Sequence, residues 1–176
     1  MASGFSGFKN GVAVTDIVHD RIHQGTFFQS NNFDPAVANN GTIEMLVRVV
    51  SGAHLRWQGN VGADSLGTFF SGPTLTDDGT PLPRVNYNSF ATLTASTLVF
   101  DAPTYTDSGT PVLENIFIPG GSGGRAIGGS GSSFEEFVLA PGDYLGRIQN
   151  ISGNNNVPMQ LVINWYEPGG AVPVLS

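Results

Sequence analysis

Chemistry needs side chains that donate, accept or coordinate at a workable spacing, and this chain offers few such sets. His19 and His23 are four residues apart and would share one face of a helix. Zinc needs at least a third protein ligand, and no His-Glu-x-x-His frame surrounds them, so they read as ordinary polar positions. Glu135 and Glu136 are adjacent on an expected strand, which points them to opposite faces and prevents acid/base pairing. Gly128-Gly129-Ser130-Gly131 looks superficially like a nucleophile elbow, but it sits inside a glycine-rich loop rather than between a strand and a helix. Gly120 to Arg125 lacks the Gly-Lys-Ser/Thr ending of a phosphate loop. His54 reads as a structural histidine. There is no cysteine, so a thiol nucleophile, a disulfide and an iron–sulfur cluster are all out of reach. The expectation is a non-enzymatic protein with no cofactor and no metal.

One stretch occurs twice. Residues 73–81 read Pro-Thr-Leu-Thr-Asp-Asp-Gly-Thr-Pro, and residues 103–111 read Pro-Thr-Tyr-Thr-Asp-Ser-Gly-Thr-Pro. The copies lie 30 residues apart and differ at two of nine positions. Each is a turn signal: the Asp side chain can bond the backbone, and the Gly can take positive φ. The flanking prolines cannot donate to a β-ladder. Two equivalent loops at one end of a β structure are expected, forming a contact surface or simple connections. Asp77, Asp78 and Asp107 would meet if the loops meet. Without Asp-x-Asp-x-Asp-Gly spacing they read as polar turns rather than calcium ligands.

The elements that must carry these loops are strands. A chain of 176 residues is expected to form one domain with a real core. High glycine (24) and proline (11) with only 12% charged residues suit an all-β fold with many turns. Thr42 to Val50 alternates Ile43, Met45, Val47 and Val49 inward against Glu44 and Arg48 outward. Met159, Leu161, Ile163 and Trp165 alternate with Gln160, Asn164 and Tyr166, with Val162 an apolar exception on the outer face. Shorter strands are expected at 53–59, 66–70, 97–100, 112–118, 134–139 and 144–150. Weak helical character is confined to 13–28, where Thr26 to Phe28 turns extended. Residues 31–41 and 119–133 read as loops, the latter being the lowest-complexity part of the chain. Eight to ten strands with long connections favour a jelly-roll-like antiparallel β-sandwich over 13–167, between an extended arm (1–12) and an extended tail (168–176). The expected core is Ile43, Met45, Val47, Val49, Leu55, Trp57, Phe69, Val99, Phe117, Phe137, Leu145, Ile148, Leu161, Ile163 and Trp165.

Net charge of −7 and a pI near 4.6 argue against phosphate-backbone binding, since the seven cations are scattered singly. No apolar run is long enough to span a bilayer, and no secretory signal is visible. Synthesis in a reducing cytosol is expected. Seven phenylalanines lie in or beside loops: Phe5, Phe8, Phe27, Phe28, Phe33, Phe70 and Phe90. One sandwich cannot easily bury them all, so with Asp77, Asp78 and Asp107 they are candidate interface residues.

Several runs carry a resemblance. These are His23-Gln24-Gly25-Thr26-Phe27-Phe28, the Gly-Pro-Thr-x-Thr-x-x-Gly-Thr-Pro segment, and Phe117-Ile118-Pro119-Gly120-Gly121-Ser122-Gly123-Gly124. With Phe137 to Asn150 and Leu161 to Glu167 they resemble small structural proteins of tailed bacteriophages over about residues 19–167. The resemblance carries no catalytic motif. It implies a virion component: a β-sandwich that decorates or cements the head exterior, with the major capsid protein as partner. It also implies, in part, a homo-oligomer, most simply a trimer. A receptor- or glycan-binding module of a tail or head fibre is the alternative, because fold alone does not decide between them. A polysaccharide-degrading enzyme is disfavoured for want of a converging carboxylate pair.

Overall fold

The computed structural model describes residues 7–9, 12–14, 17–120, 129–132 and 136–167. A short hairpin of β1 (Gly7–Lys9) and β2 (Val12–Val14) precedes helix α1 (Ile17–His23). The strands of the body follow: β3 (Phe27–Val37), β4 (Thr42–Val49), β5 (Ala53–Val61), β6 (Ser65–Ser71), β7 (Thr74–Asp77), β8 (Thr80–Pro81) and β9 (Val85–Asn86). Then come β10 (Leu98–Asp101), β11 (Thr104–Asp107), β12 (Thr110–Ile118), β13 (Gly129–Ser132), β14 (Phe137–Leu139), β15 (Gly142–Asn150) and β16 (Val157–Tyr166).

Two antiparallel sheets face each other. The first runs β12-β6-β15-β4-β10-β8, and the second β13-β5-β16-β3-β9 with β14 also on β5. Eight of these strands give the orders β4-β15-β6-β12 and β3-β16-β5-β14. Successive strands mostly cross from one sheet to the other, as in a jelly roll. The alternating pattern drives this: one apolar face per strand must be buried, and two such faces bury each other. Between the sheets, Met45, Phe69, Ile148, Leu161 and Ile163 are fully buried. Phe28 stacks on Trp165 at 5.7 Å, and Phe69 on Phe137 at 5.3 Å.

Four expectations change. Phe117 is 55% exposed, while Ile118 beside it is fully buried. The cause is a bulge: Asn115 takes φ 54, the register of β12 on β6 slips between Leu113 and Ile116, and the facing parity flips. The Asn-rich run 31–41 is not all loop, because β3 extends to Val37. Only Phe28 and Gln29 of β3 pair with β9, so Asn31 to Val37 form a free edge that tolerates Asp34 and Pro35. In the glycine-rich run 119–133, Gly129–Ser132 pairs with Gln58–Val61 as a strand. Leu145 is fully buried as expected, but on the outer face of the first sheet rather than between the sheets: it sits opposite Leu46, whose neighbours Met45 and Val47 point inward. Of the expected arm, residues 1–6, including Phe5, and the side chain of Phe8 lie outside the described residues, as does the tail 168–176.

Candidate functional site: paired arches and a presented aromatic

The repeated nine-residue stretches form two arches that pair with each other over the first sheet's outer face. β7 and β11 make a two-stranded sheet with Leu75 opposite Tyr105, Thr104 opposite Asp77 and Asp107 opposite Thr74. The exchange is reciprocal. Thr80-Pro81 of the first copy pairs with Asp101 and Phe100, which lead into the second copy. Thr110-Pro111 of the second pairs with Ser71 and Phe70, which lead into the first. Gly79 sits at φ 88 against the carbonyl of Asp101, and Gly109 at φ 93 against that of Ser71. A Cβ would come within 2.0 Å and 2.3 Å of those oxygens, so both glycines are sterically required. In each turn the Asp carboxylate accepts the glycine N–H, Asp77 at 2.8 Å and Asp107 at 3.0 Å.

Beneath the arches the sheet repeats the same near-two-fold arrangement. β4 carries Glu44-x-Leu46-x-Arg48 and β15 carries Asp143-x-Leu145-x-Arg147. Antiparallel pairing with Leu46 opposite Leu145 places Arg48 opposite Asp143 and Arg147 opposite Glu44. Arg48 donates to Asp143 at 2.8 and 3.0 Å and lies 5.7 Å from the Phe100 ring. Arg147 donates to Glu44 at 2.6 Å and lies 4.9 Å from the Phe70 ring. The symmetry breaks where the two copies differ in sequence. Asp78, which is Ser108 in the other copy, accepts two bonds from Arg48 at 2.6 and 2.8 Å. Tyr105, which is Leu75 in the other copy, donates to Glu44 at 2.7 Å and accepts from Arg147. The shared residues therefore build the turns, and the divergent ones dock them.

The electrostatics follow the contacts. Hydrogen bonds from Arg48 hold the Asp78 carboxyl below the usual carboxylate range. Bonds to Asp143 and Asp78 raise the Arg48 pKa. Burial and the bond to Glu44 push the Tyr105 hydroxyl up. Burial pulls Arg147 down, but Glu44 and Tyr105 outweigh it and leave it raised. Arg48, Asp143, Asp78, Arg147 and Glu44 each have an oppositely charged partner, which suits a rigid plate. Asp77 and Asp107 are exposed and serve their own turns. Among the described residues, no three His, Asp or Glu side chains are grouped to hold a metal ion.

A second cluster sits on the other sheet. His54 Nδ1 and the Tyr166 hydroxyl each lie 2.5 Å from Glu136 Oε1, and Arg56 donates to Oε2 at 3.1 Å. His54 stacks on the Tyr166 ring at 4.5 Å. Burial, then the neighbouring Glu136 carboxylate, pushes the Tyr166 hydroxyl up to about 12. For Glu136, burial works upward, but the bonds from Tyr166 and His54 and the nearby charges leave its carboxyl lowered. The cluster ties the residue before β14 to β5 and β16, and it makes His54 a structural histidine. Glu135 lies outside the described residues.

The interface candidates divide. Phe27, Phe28 and Phe70 are 9, 3 and 8% exposed, so they are not surface residues. Phe28 belongs to the inter-sheet core, Phe27 packs edge-on to Tyr87 at 5.1 Å, and Phe70 lies under the arches. Their positions beside loops suggested exposure, but the loops fold back over them. Phe33 is 56% exposed at the free edge of β3, on a groove of about 510 Å³ that Asp34, Pro35, Asp101 and Pro103 also line. Phe90 is 94% exposed. In comparisons with known proteins, no family model, curated protein or solved structure matches this chain.

Phe90 is held out by an ordered loop. The Asn88 side-chain oxygen accepts the Phe90 N–H at 3.0 Å, and the Asn86 side-chain oxygen accepts the Asn88 N–H at 2.9 Å. The Asn86 amide donates to the carbonyls of Gly25 and Leu93, and the Asn88 amide donates to that of His23. The loop is thus pinned to α1 and its exit turn, while Phe90, and to a lesser degree Tyr87 at 48% exposure, face water. The sequence pointed to two equivalent loops and to Phe90 as an interface candidate, but not to the charge-pair layer, the reciprocal strand exchange of the arches or the hydrogen bonds that hold the Phe90 loop. The matching Glu-x-Leu-x-Arg and Asp-x-Leu-x-Arg runs were the available signal for the charge-pair layer.

Proposed function

We propose that this protein is a non-enzymatic capsid decoration protein of a tailed bacteriophage, binding the outer head lattice and stabilising it. The observation that carries the reading is Phe90: a fully presented aromatic on a loop with little freedom to fold it away. An exposed aromatic whose loop is already ordered loses little freedom on binding and suits an anchor in a partner's pocket. The resemblance of the His23–Phe28, Gly-Pro-Thr and C-terminal runs to phage structural proteins supplies the partner class, the major capsid protein. The arches support the same reading from the opposite sheet, since a cross-linked polar layer suits a surface that must resist deformation rather than turn over a substrate. The trimer proposed alongside it has a narrower basis than the sequence suggested, because Phe33 and Phe90 remain available among the described residues and Phe27, Phe28 and Phe70 do not. The test is to add purified protein to phage heads lacking it and count bound copies by quantitative mass spectrometry. Saturable binding at a fixed ratio to the capsid protein is expected, and absence of binding to heads would overturn the reading.

A further inference from the structure

We propose that the outer face of the second sheet binds an uncharged polysaccharide chain. The inference does not depend on the capsid reading; the face borders the Phe90 loop, whose Tyr87 bonds Gln29. Strand register places Gln29, Asn164 and Arg56 in one row across β3, β16 and β5, and Phe33, Gln160 and Asn60 in a row two steps away. Gln58 lies between them, opposite Val162. The amides are already oriented by one another. Gln58 donates to Asn60 at 3.0 Å, and Asn60 donates to Gln160 at 3.1 Å. Tyr87 donates to the Gln29 carbonyl. This leaves the Gln160 and Gln29 NH2 groups, the Gln58 carbonyl and both ends of the Asn164 amide without a hydrogen-bond partner among the described residues, on half-buried side chains.

A row of half-buried amides with spare donors and acceptors matches a ligand that offers both at every position, which is the chemistry of a polyhydroxylated chain. The charge balance selects an uncharged one. Among the described residues, the charged groups at this face are Arg56 and Glu136, bonded to each other at 3.1 Å, and Arg21. Arg21 lies 5.4 Å from the Tyr166 ring and donates to Gln24, while the whole chain is net negative. An anionic chain would therefore meet net repulsion, with Arg21 the one cation at the end of the face not held by a carboxylate among the described residues. A protein partner would need an apolar centre, whereas the apolar side chain in the middle of this face, Val162, is only 9% exposed. Phe33, 56% exposed at the end of its row, offers a flat apolar ring for the C–H face of a sugar.

The test is native affinity electrophoresis of the full chain in gels containing dextran, a galactomannan or a mixed-linkage β-glucan, with polygalacturonate as the anionic comparison. Retardation is expected in at least one neutral gel and not in polygalacturonate. Asn60→Ala and Asn164→Ala should weaken it at least tenfold, and Phe90→Ala should leave it unchanged. As a measurement that needs no variant, oligosaccharides cut from each neutral polymer are titrated into 15N-labelled wild-type protein. The side-chain NH2 signals of Asn60, Gln160 and Asn164 should shift. No retardation in any neutral gel, retardation confined to polygalacturonate, or unshifted amide signals would overturn the proposal. So would a concentration-dependent dimer that Asn164→Ala abolishes, because the face would then be a contact between copies.

Discussion

Glu167 closes the last strand by turning its carboxylate back onto a neighbouring loop. It accepts the backbone N–H groups of Thr97 at 2.7 Å and Ser96 at 3.0 Å, the Ser96 hydroxyl at 2.8 Å, and the Trp165 indole N–H at 3.3 Å. Burial pushes its pKa up, but the backbone bonds from Thr97 and Ser96 prevail and leave it lowered. Asp78 is lowered as well, by Arg48. A carboxyl that is more acidic folded than unfolded stabilises the fold above its unfolded pKa. That contribution is lost as pH falls through the folded value. The melting temperature should therefore hold steady from neutrality down to about pH 5 and fall below about pH 4. Glu167→Gln should flatten part of that acid limb, which a series of thermal melts against pH reads directly. Trp165, 1% exposed and stacked on Phe28, is the other residue on which the fold leans. Trp165→Ala should cost about 3–5 kcal/mol in chemical denaturation. An unchanged unfolding midpoint would contradict its place in the core. Ala102 takes φ 49 at the position where the first copy has Gly72 at φ 66. Ala102→Gly should raise stability by about 0.5–1 kcal/mol, because relief of left-handed strain exceeds the added unfolded-state entropy.

Among the elements, the arches depend on the glycines and the docking pairs in different ways. Gly79→Ala combines a strained φ with a clash against the Asp101 carbonyl, and should cost at least about 2 kcal/mol. Asp78→Ala should cost less. A double-mutant cycle with Arg48→Ala should return a coupling of about 0.5–1 kcal/mol, since both side chains are about a third or more exposed. A coupling of zero would leave the divergence between the two copies without a structural role. The elements also show what a sequence discloses. The clean alternation in β4 and β16 follows from one buried face per strand, so the core residues there were legible. Phe117 was misplaced because a bulge changes parity without changing composition. β3 was truncated because an edge strand can carry Asn, Asp and Pro. The arches read as loops because their strands bury almost nothing and are held by each other. The candidate site was the least legible part. Exposure of Phe90 and burial of Phe27 depend on how connections fold back, which neither period nor propensity encodes.

At the scale of the whole molecule, the two sheets present different surfaces. The first is plated by arches that dock on a layer of paired charges, and the second borders the loop that displays Phe90. Phe90→Ala should leave the melting temperature within about a degree of wild type, since the side chain is 94% exposed, while lowering affinity for phage heads about ten- to a hundredfold. Light scattering on the purified protein reports whether it forms the proposed trimer by itself or only on a lattice. The central claim is that this chain covers the head of a phage particle, and a cryo-EM map of that particle tests it most directly. Many copies are expected over the outer head lattice, each with the Phe90 loop facing the capsid shell. A few copies at one vertex or on the tail, or a lattice of copies with Phe90 turned to solvent, would contradict it.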